Sequence, residues 1–285
     1  MRILTTISEM QSASGMSRDR GRRIGLVLTM GALHEGHLAL VRTARETCHW
    51  VVASIFVNPT QFGPDEDLTK YPRSFERDAA LLEQEHVDVL FAPTVEEMYP
   101  TGTATTWVTV DGLTDKLDGR SRPGHFRGVA TVVTKLFHIV EPDVAFFGQK
   151  DAAQLAIIRR MVRDLSFPIE IVGGAIVREP DGLAMSSRNV YLDGMERRQA
   201  LVLHRVLSQI RKMHEQGARD AGLLASFGKH EIALEPAVKL DFLEIVHPDT
   251  LDPVASVKDG ALVAVAAWVG ETRLIDNIIL PPDQH

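Results

Sequence analysis

Cysteine is almost absent from this 285-residue chain, since Cys48 is the only one. A single cysteine excludes an intramolecular disulfide and leaves too few thiolates for a cysteine-rich zinc cluster. Free cysteines commonly pack as small apolar side chains. We therefore expect Cys48 to be a buried or inert thiol that carries no chemistry.

Long apolar runs are also missing, and the longest one spans only residues 261–269. A membrane-spanning helix needs about 20 apolar residues, so no membrane partner is predicted. The N-terminal residues, Met1-Arg2-Ile3-Leu4, soon give way to Ser, Glu and Gln, without the apolar core of a secretory signal peptide. These two features predict a cytoplasmic protein.

The chain lacks an excess of basic residues, because 31 lysines and arginines face 38 acidic residues and the formal net charge is −7. This balance disfavours broad binding to nucleic acid, which requires a basic face. It still allows one anionic ligand in a local basic pocket. Apolar residues make up 45% of the chain, enough for a sizeable core in one large or two ordinary domains.

The first part of the chain alternates apolar strands with amphipathic helices. Such alternation predicts βαβ units and a doubly wound, mostly parallel α/β sheet of the Rossmann-like type. The predicted strands are residues 24–28, 50–57, 87–92, 144–147 and 169–177. The predicted helices are residues 38–46, 73–86, 126–140 and 151–164. Ser74 and Asp151 are the predicted N-caps of two of them.

The pattern changes beyond about residue 190. Two predicted helices are followed by three predicted strands without intervening helices, which indicates a smaller α+β domain with an antiparallel sheet. The helices are residues 195–214 and 218–234, and the strands are residues 240–246, 261–269 and 274–280. We therefore expect a Rossmann-like domain over residues 1–178 and a C-terminal lid domain over residues 179–285.

One nine-residue run joins the first predicted strand to its helix: Thr29-Met30-Gly31-Ala32-Leu33-His34-Glu35-Gly36-His37. Such turns of α/β sheets bind phosphate, because free backbone N–H groups and the positive end of the helix dipole face outward. Glycine allows close approach of the backbone, and histidine adds side-chain donors. We favour phosphate binding here. A zinc site, and a helix-capping or core role of His34 and His37, are the alternatives.

Three further polar loops follow predicted strands, at the sheet edge where parallel sheets bind ligands. Residues 58–63, NPTQFG, carry neutral amides, although taken alone they fit an ordinary turn. Residues 147–151, FGQKD, place Lys150 at a strand-to-helix turn, where helix capping is the alternative role of Asp151. Residues 182–189, GLAMSSRN, are typical of a mobile phosphate clamp or of a polar linker.

A fifth loop, residues 121–128, precedes a predicted helix with the sequence SRPGHFRG. Its two arginines and histidine fit an anion site and a solvated loop equally well.

Taken together, MGALHEGH, NPTQFG, RPGHFRG, FFGQKD and DGLAMSSRN resemble, in this order, the motifs of the pantoate–β-alanine ligase family. The resemblance extends from about residue 24 to residue 280 and includes AAWVGETRLIDN near the C-terminus. HEGH alone indicates only the HIGH-type superfamily of nucleotidyltransferases and class I aminoacyl-tRNA synthetases. The resemblance implies a Rossmann-like domain, a smaller lid domain and a homodimer.

The resemblance also implies a reaction. In this family, (R)-pantoate and β-alanine are condensed with ATP to give pantothenate, AMP and diphosphate through a pantoyl adenylate, a step towards coenzyme A. Magnesium accompanies the ATP, and no metal site built from protein ligands is implied. The alternatives are another nucleotidyltransferase or adenylate-forming enzyme of the superfamily, and a nucleotide-binding regulator with a decayed site.

Roles for individual residues follow from the same resemblance. The implied catalytic residues are His37, His34 and Lys150. The implied pantoate-binding residues are Gln61, Gln154 and Asn58. The implied nucleotide-binding residues are Met30, Gly31, Gly36, Gly148, Gln149, Asp151, Val177, Met185, Ser186, Ser187 and Arg188.

Three positions depart from the family pattern. Leu28 stands where the family commonly has proline, Gln149 where it has glutamate, and Ala152 where it has an aromatic residue. The last two positions flank Lys150, so they affect the shape of the predicted site around this lysine rather than the class of reaction.

Overall fold

Two sheets organise the chain. The computed structural model describes residues 1–64, 66, 68–102 and 104–283. A six-stranded parallel sheet with helices on both faces precedes a three-stranded antiparallel sheet with its own helices. The prediction of an α/β sheet followed by a smaller α+β unit is confirmed, whereas the boundary at 178/179 stays a prediction.

The parallel sheet reverses its strand order beside its second strand. Its strands are β1 (Arg2–Leu4), β2 (Ile24–Thr29), β3 (Trp50–Ile55), β4 (Val89–Phe91), β5 (Val144–Gly148) and β6 (Glu170–Gly174). They lie in the order β1-β4-β3-β2-β5-β6, and all neighbours are parallel. The chain runs outward from β2 to β4 and then returns to β5 on the other side. Open α/β sheets bind ligands at such a reversal, beyond the carboxyl ends of the strands.

Helices cover both faces of this sheet. They are α1 (Ile7–Asp19), α2 (Glu35–Thr47), α3 (Phe75–Gln84), α4 (Val95–Met98), α5 (Asp118–Ser121), α6 (His125–Val140) and α7 (Ala152–Asp164). Leu26 belongs to the core cluster shared with α1, α6 and α7, whereas its neighbour Val27 belongs to the cluster shared with α2 and α3. Successive side chains of a strand point to opposite faces. The central strands are therefore apolar throughout, rather than alternating.

The antiparallel sheet is also buried on both faces. Its elements are α8 (Gly194–Ala200), α9 (Val202–Glu215), α10 (Ala221–Ala233), β7 (Val238–Val246), β8 (Ala261–Val269) and β9 (Thr272–Leu280). Val263 and Val265 of β8 pack in the cluster that contains α9 and α10. Ala264 and Ala266 belong instead to the core of the parallel sheet. This second contact explains why β8 is one unbroken apolar run.

Several sequence-based predictions of local structure need correction. Strand β1 and helix α1 were not predicted, because the Ser-rich sequence of α1 has little apolar periodicity. The single helix predicted over residues 195–214 is two helices that meet at Leu201. Ser74 and Asp151 occupy N-cap positions, but neither side chain makes a capping hydrogen bond within the described part of the chain.

Two predictions concern what the sequence has little of, namely cysteine and long apolar runs. Cys48 is buried, and this burial raises the pKa of its thiol, which favours the unreactive protonated form. None of the helices in the described ranges combines the length and the apolar character needed to cross a bilayer.

The loop between β2 and α2 is held in place from helix α3. Gly31 and Ala32 both have positive φ, 83° and 50°, and a residue with a side chain is disfavoured in that region. The Asp78 carboxylate, only 1% exposed, accepts hydrogen bonds from the backbone N–H groups of Ala32 at 2.7 Å and Leu33 at 2.9 Å. The N–H of Gly31 donates to Thr29 Oγ1 at 3.1 Å. These bonds hold the strained turn in one conformation.

We expect Asp78→Ala to lower the free energy of unfolding by about 2–4 kcal/mol, because two buried backbone donors lose their acceptor. Urea unfolding measures the change. Glu76→Ala, an exposed acid in the first turn of the same helix, is the matched control and loses less than about 1 kcal/mol. Equal losses in the two variants would show that Asp78 does not anchor the loop.

Candidate active site

Helix α2 begins with a capping box made of two histidines. His34 is the N-cap residue, and its Nδ1 accepts a hydrogen bond from the N–H of Gly36 at 3.2 Å. Nδ1 of His37 accepts one from the N–H of His34 at 3.3 Å. The ring centroids are 4.1 Å apart. The helix-capping alternative considered for these histidines is therefore present in the structure, alongside their place at a cavity.

Both histidines are uncharged at neutral pH in the ligand-free protein. Burial, with a smaller contribution from the positive charge of Lys150, lowers the pKa of His34 to about 4. Burial lowers the pKa of His37 to about 3, and His34 and Lys150 add to the shift. Since Nδ1 of each ring is an acceptor, the proton of the neutral ring is on Nε2. Each ring therefore retains one N–H donor without being a cation.

A cavity of about 220 Å³ lies where the strand order reverses between β2 and β5. Fifteen of the predicted site residues line it. They are Met30, His34, Gly36, His37, Asn58, Gln61, Gly148, Lys150, Asp151, Gln154, Val177, Met185, Ser186, Ser187 and Arg188. The four chain segments that follow β2, β3, β5 and β6 thus meet at one place, as the strand-end argument predicted.

A larger cleft of about 770 Å³ adjoins this cavity on the side of the antiparallel sheet. Lys150, Asp151, Gln154, Ser186 and Arg188 line both spaces. The cleft therefore connects the small cavity with the surfaces of α5 and β9. A ligand longer than the cavity has room to extend into the cleft without a change in the fold.

The cationic wall of the cavity combines side chains from two segments. Lys150 lies in a single 3₁₀ turn, Gln149–Asp151, that joins β5 to α7. Arg188 lies in a second 3₁₀ segment, Ser187–Tyr191, whose N-cap Ser186 accepts a hydrogen bond from the N–H of Arg188 at 3.2 Å. The guanidinium of Arg188 is 6.0 Å from the ring centre of Tyr71. Two cationic side chains thus line the cavity together with the neutral histidines.

The opposite wall is built from buried amides. Asn58 is 1% exposed and Gln61 is 8% exposed. The Asn58 amide donates to Gln61 Oε1 at 3.0 Å, while Tyr99 Oη donates to Asn58 Oδ1 at 2.9 Å. Gln61 Nε2 donates to the sulfur of Met30 at 3.1 Å. Because a thioether is a weak acceptor, a ligand carboxylate or hydroxyl oxygen would be a stronger partner for this amide.

Gln61 is also held from behind by helix α6. His125 Nδ1 donates to the carbonyl of Gln61 at 2.8 Å, and its Nε2 accepts from Arg122 at 3.1 Å. Burial, assisted by Arg122, lowers the pKa of His125 to about 4, which keeps the ring neutral in this bridging role. A Cβ at Gly128 would lie 2.3 Å from the carbonyl oxygen of Thr60. This close contact requires glycine.

The arginines of residues 121–128 have protein partners. Arg122 binds the Glu66 carboxylate at 2.8 Å, and Arg127 lies 4.1 Å above the ring of Trp107. The loop supports Gln61 through His125, and its Arg122 also lines the larger cleft.

Two of the predicted nucleotide-binding residues lie outside the lining of the small cavity. Gly31 lies in the turn that Asp78 holds, where a Cβ would come within 3.2 Å of that carboxylate. The Gln149 amide donates to Asn277 Oδ1 of β9 at 3.2 Å. The structure therefore directs Gln149 towards the antiparallel sheet rather than into the cavity.

Sequence reasoning missed three residues that shape this site. Asp78 holds the His-containing loop, Tyr99 holds Asn58, and Asn277 contacts the Lys150 turn. Asp78 lies on an ordinary amphipathic helix and Tyr99 follows a short one, so neither had a local signal. Asn277 lies within the LIDN sequence noted above, where two consecutive polar residues interrupt a strand. That interruption of the apolar pattern was the one sequence signal that could have identified Asn277.

The zinc alternative has no support among the described residues. No group of three or more His, Cys, Asp or Glu side chains is placed there to hold a metal ion. Nδ1 of His34 and of His37 already accepts a backbone N–H, and catalytic zinc requires three protein ligands.

Known proteins match this chain over nearly its whole length, and the matches agree with one another. The sequence model of the family described as Pantoate-beta-alanine ligase matches residues 2–279. The pantothenate synthetase of Koribacter versatilis (strain Ellin345) is 61% identical over 280 residues, covering 98% of this chain and 96% of that protein. The pantothenate synthetase of Thermotoga petrophila is 55% identical over 280 residues, covering 98% of this chain and 100% of that protein.

Solved structures give the same result. Pantothenate synthetase from Thermus thermophilus has a TM-score of 0.92 at 50% identity, over 99% of this chain and 100% of that chain. Pantoate-beta-alanine ligase from Francisella tularensis, complexed with beta-gamma ATP and beta-alanine, has a TM-score of 0.80 at 31% identity, over 98% of this chain and 97% of that chain. The chain therefore belongs to the pantoate–β-alanine ligase family.

Proposed function

We propose that this protein condenses (R)-pantoate with β-alanine, using ATP, to give pantothenate, AMP and diphosphate, as part of coenzyme A biosynthesis. The observation that carries the proposal is the pairing of two walls in one cavity. Lys150, Arg188 and the two histidines suit an anionic phosphate chain, whereas Gln61 and Asn58 suit a small hydroxy acid. Family membership and the ligands named for the Francisella relative support the same substrates.

The first chemical step is formation of pantoyl adenylate. A carboxylate oxygen of pantoate attacks the α-phosphorus of ATP, and the bond to the bridging oxygen of diphosphate breaks. Negative charge shifts onto the departing diphosphate. Nε2–H of His34 and His37 and the ammonium of Lys150 stabilise that charge, because preorganised donors in a partly buried site need little rearrangement.

The second step transfers the pantoyl group. The β-alanine amine attacks the acyl carbon, loses a proton, and AMP leaves with the electrons of the C–O bond. Gln61 and Gln154 hold pantoate through both steps, and Gln61 also lies near the amine. Asn58 acts through Gln61, which it already holds by a hydrogen bond. The segment formed by residues 185–188 closes over the phosphates and excludes water, which would otherwise hydrolyse the adenylate.

The remaining nucleotide contacts come from the two strand-to-helix turns. Met30, Gly31, Gly36 and Gly148 let the backbone approach the nucleotide, and Asp151 binds the ribose. Val177 contacts the adenine through its backbone. These assignments rest on the family motifs and on the place of the residues at or beside the cavity.

Magnesium fits this site as a companion of the triphosphate. Magnesium prefers phosphate oxygens and water as ligands, so the ion would be held by the triphosphate without a dedicated set of protein ligands. The ion supplies charge neutralisation on the phosphates when bound. We further propose a homodimer in the cytoplasm, which the family resemblance and the presence of cytoplasmic ATP support.

A single assay tests the proposal and separates it from the alternatives. The protein is mixed with ATP, magnesium, pantoate and β-alanine, and release of AMP is measured. We expect AMP release that depends on both acids. Release that depends on a different acid would favour another adenylate-forming enzyme, and release at background would favour a regulator with a decayed site.

We expect His37→Ala to lower turnover by roughly 100-fold or more, the scale of losing one oriented donor to transition-state charge. His230→Ala, which removes an exposed histidine on α10, is the matched control and retains full activity. Steady-state rates at saturating ATP measure both variants. A nearly unchanged rate in His37→Ala would remove this residue from the mechanism.

We expect ATP binding to take up protons at acidic pH, in the interval just above the free pKa values of the two histidines. The pKa values of His34, about 4, and His37, about 3, lie far below neutrality in the free protein. A bound triphosphate favours the imidazolium form and raises both values. Protons are taken up between the free and the bound pKa, so ATP affinity rises as the pH falls through that interval.

Calorimetry in two buffers of different ionisation enthalpy measures this uptake. The double variant His34→Gln/His37→Gln cannot titrate at these positions and reports the protons gained by ATP itself. We expect the parent protein to take up more protons than this variant. Equal uptake by the two proteins would show that the histidines stay neutral with ATP bound.

A further inference from the structure

The antiparallel sheet makes a specific contact with the turn that carries Lys150. Asn277 of β9 is 2% exposed, and its Nδ2 donates to the carbonyls of Gln149 at 3.0 Å and Lys150 at 2.9 Å. Its Oδ1 accepts from Gln149 Nε2 at 3.2 Å. One side chain of the second sheet thus satisfies two main-chain acceptors and one side-chain donor of a single 3₁₀ turn.

The chemistry of the partners fixes the orientation of this amide. The two backbone carbonyls are acceptors only, so the NH₂ group of Asn277 must face them. Its oxygen then faces residue 149 and needs a donor there. Gln149 supplies that donor, whereas an ionised glutamate at this position would present a second acceptor. The amide of Gln149 therefore matches the orientation of Asn277.

The strand that carries Asn277 is itself held firmly. The neighbouring Asp276 is 3% exposed and accepts two hydrogen bonds from Arg178, at 2.6 Å and 2.9 Å. Its Oδ1 also accepts the N–H of Asn277 at 2.8 Å. Asn277 thus contacts the Lys150 turn from a fixed base. Without the hydrogen bonds from Asn277, the carbonyls of Gln149 and Lys150 would lose their donors, and the turn could vary in position.

We propose that Gln149 and Asn277 form an amide latch that positions Lys150 for the chemical step, so that both are positioning residues. The proposal rests on the proposed function, because it assigns Lys150 to transition-state charge. It gives Gln149 a role different from the direct contact with nucleotide that its motif implied. A lysine held in one place loses little conformational freedom when it meets the developing charge.

A double-mutant cycle with Lys150 tests the latch. We compare Asn277→Ala, Asn277→Asp and Gln149→Met in the parent protein and in the Lys150→Ala background. In the parent, we expect Asn277→Ala to lower kcat by about tenfold, the equivalent of one net hydrogen bond. Asn277→Asp, whose oxygens face two carbonyls, loses at least as much, and Gln149→Met loses about threefold.

The cycle separates a positioning role from a structural one. In the Lys150→Ala background we expect every latch substitution to change kcat by less than about twofold, because the group that they position is gone. KM for pantoate stays unchanged throughout. Substitutions that lower kcat equally in both backgrounds would overturn the proposal. Gln149→Met keeps the test available if the Asn277 variants fail to fold, because Gln149 is only half-buried.

Lys116→Met is the matched control. Lys116 also joins the two halves of the chain, through bonds to Asp252 at 2.7 Å and to the carbonyl of Thr250 at 2.8 Å, but it does not touch the Lys150 turn. We expect its kcat to match the parent. A tenfold loss in this control would show that any weakened contact between the halves lowers activity. A parent protein without condensation activity would overturn the proposed function, whereas an active parent with equal losses in both backgrounds would overturn the latch alone.

Discussion

The parallel pairing of β2 with β5 is the constraint on which the site depends. It sets the end of one strand, which leads to the two histidines, beside the end of another, which leads to Lys150. The two segments are more than a hundred residues apart in the chain, and no local interaction could bring them together. The observed register, in which Leu26 pairs with Ala145 and Val27 with Phe146, places the two strand ends side by side.

The distribution of charge in the cavity follows from the close approach of the ends of β2 and β5. Burial lowers the pKa values of both histidines, and the nearby Lys150 adds a smaller contribution in the same direction. The free site therefore holds its positive charge on Lys150 and Arg188. A bound anion favours the protonated form of the two histidines, so the charge of the site adjusts to its ligand.

Much of this arrangement was accessible from the sequence. Apolar runs ending in Gly, His and Lys located the strand ends, and the rule for parallel sheets placed them on one edge. The sequence could not reveal the side chains that hold the site in place from remote parts of the chain. Asp78 has the pattern of a surface acid on an amphipathic helix, and only the tertiary structure shows its carboxylate beneath the loop. Likewise, the bonds of Asn277 cross from one sheet to the other, so no spacing within the chain predicts them.

The two-sided burial of β8 has a consequence for how the molecule moves. Leu262, Ala264 and Ala266 lie in the core of the parallel sheet, so swinging the antiparallel sheet away as a rigid flap would open an apolar seam to water. The two sheets thus share one apolar core cluster. The short 3₁₀ segment Ser187–Tyr191 lies outside that seam. The closure proposed for residues 185–188 therefore needs no separation of the two sheets.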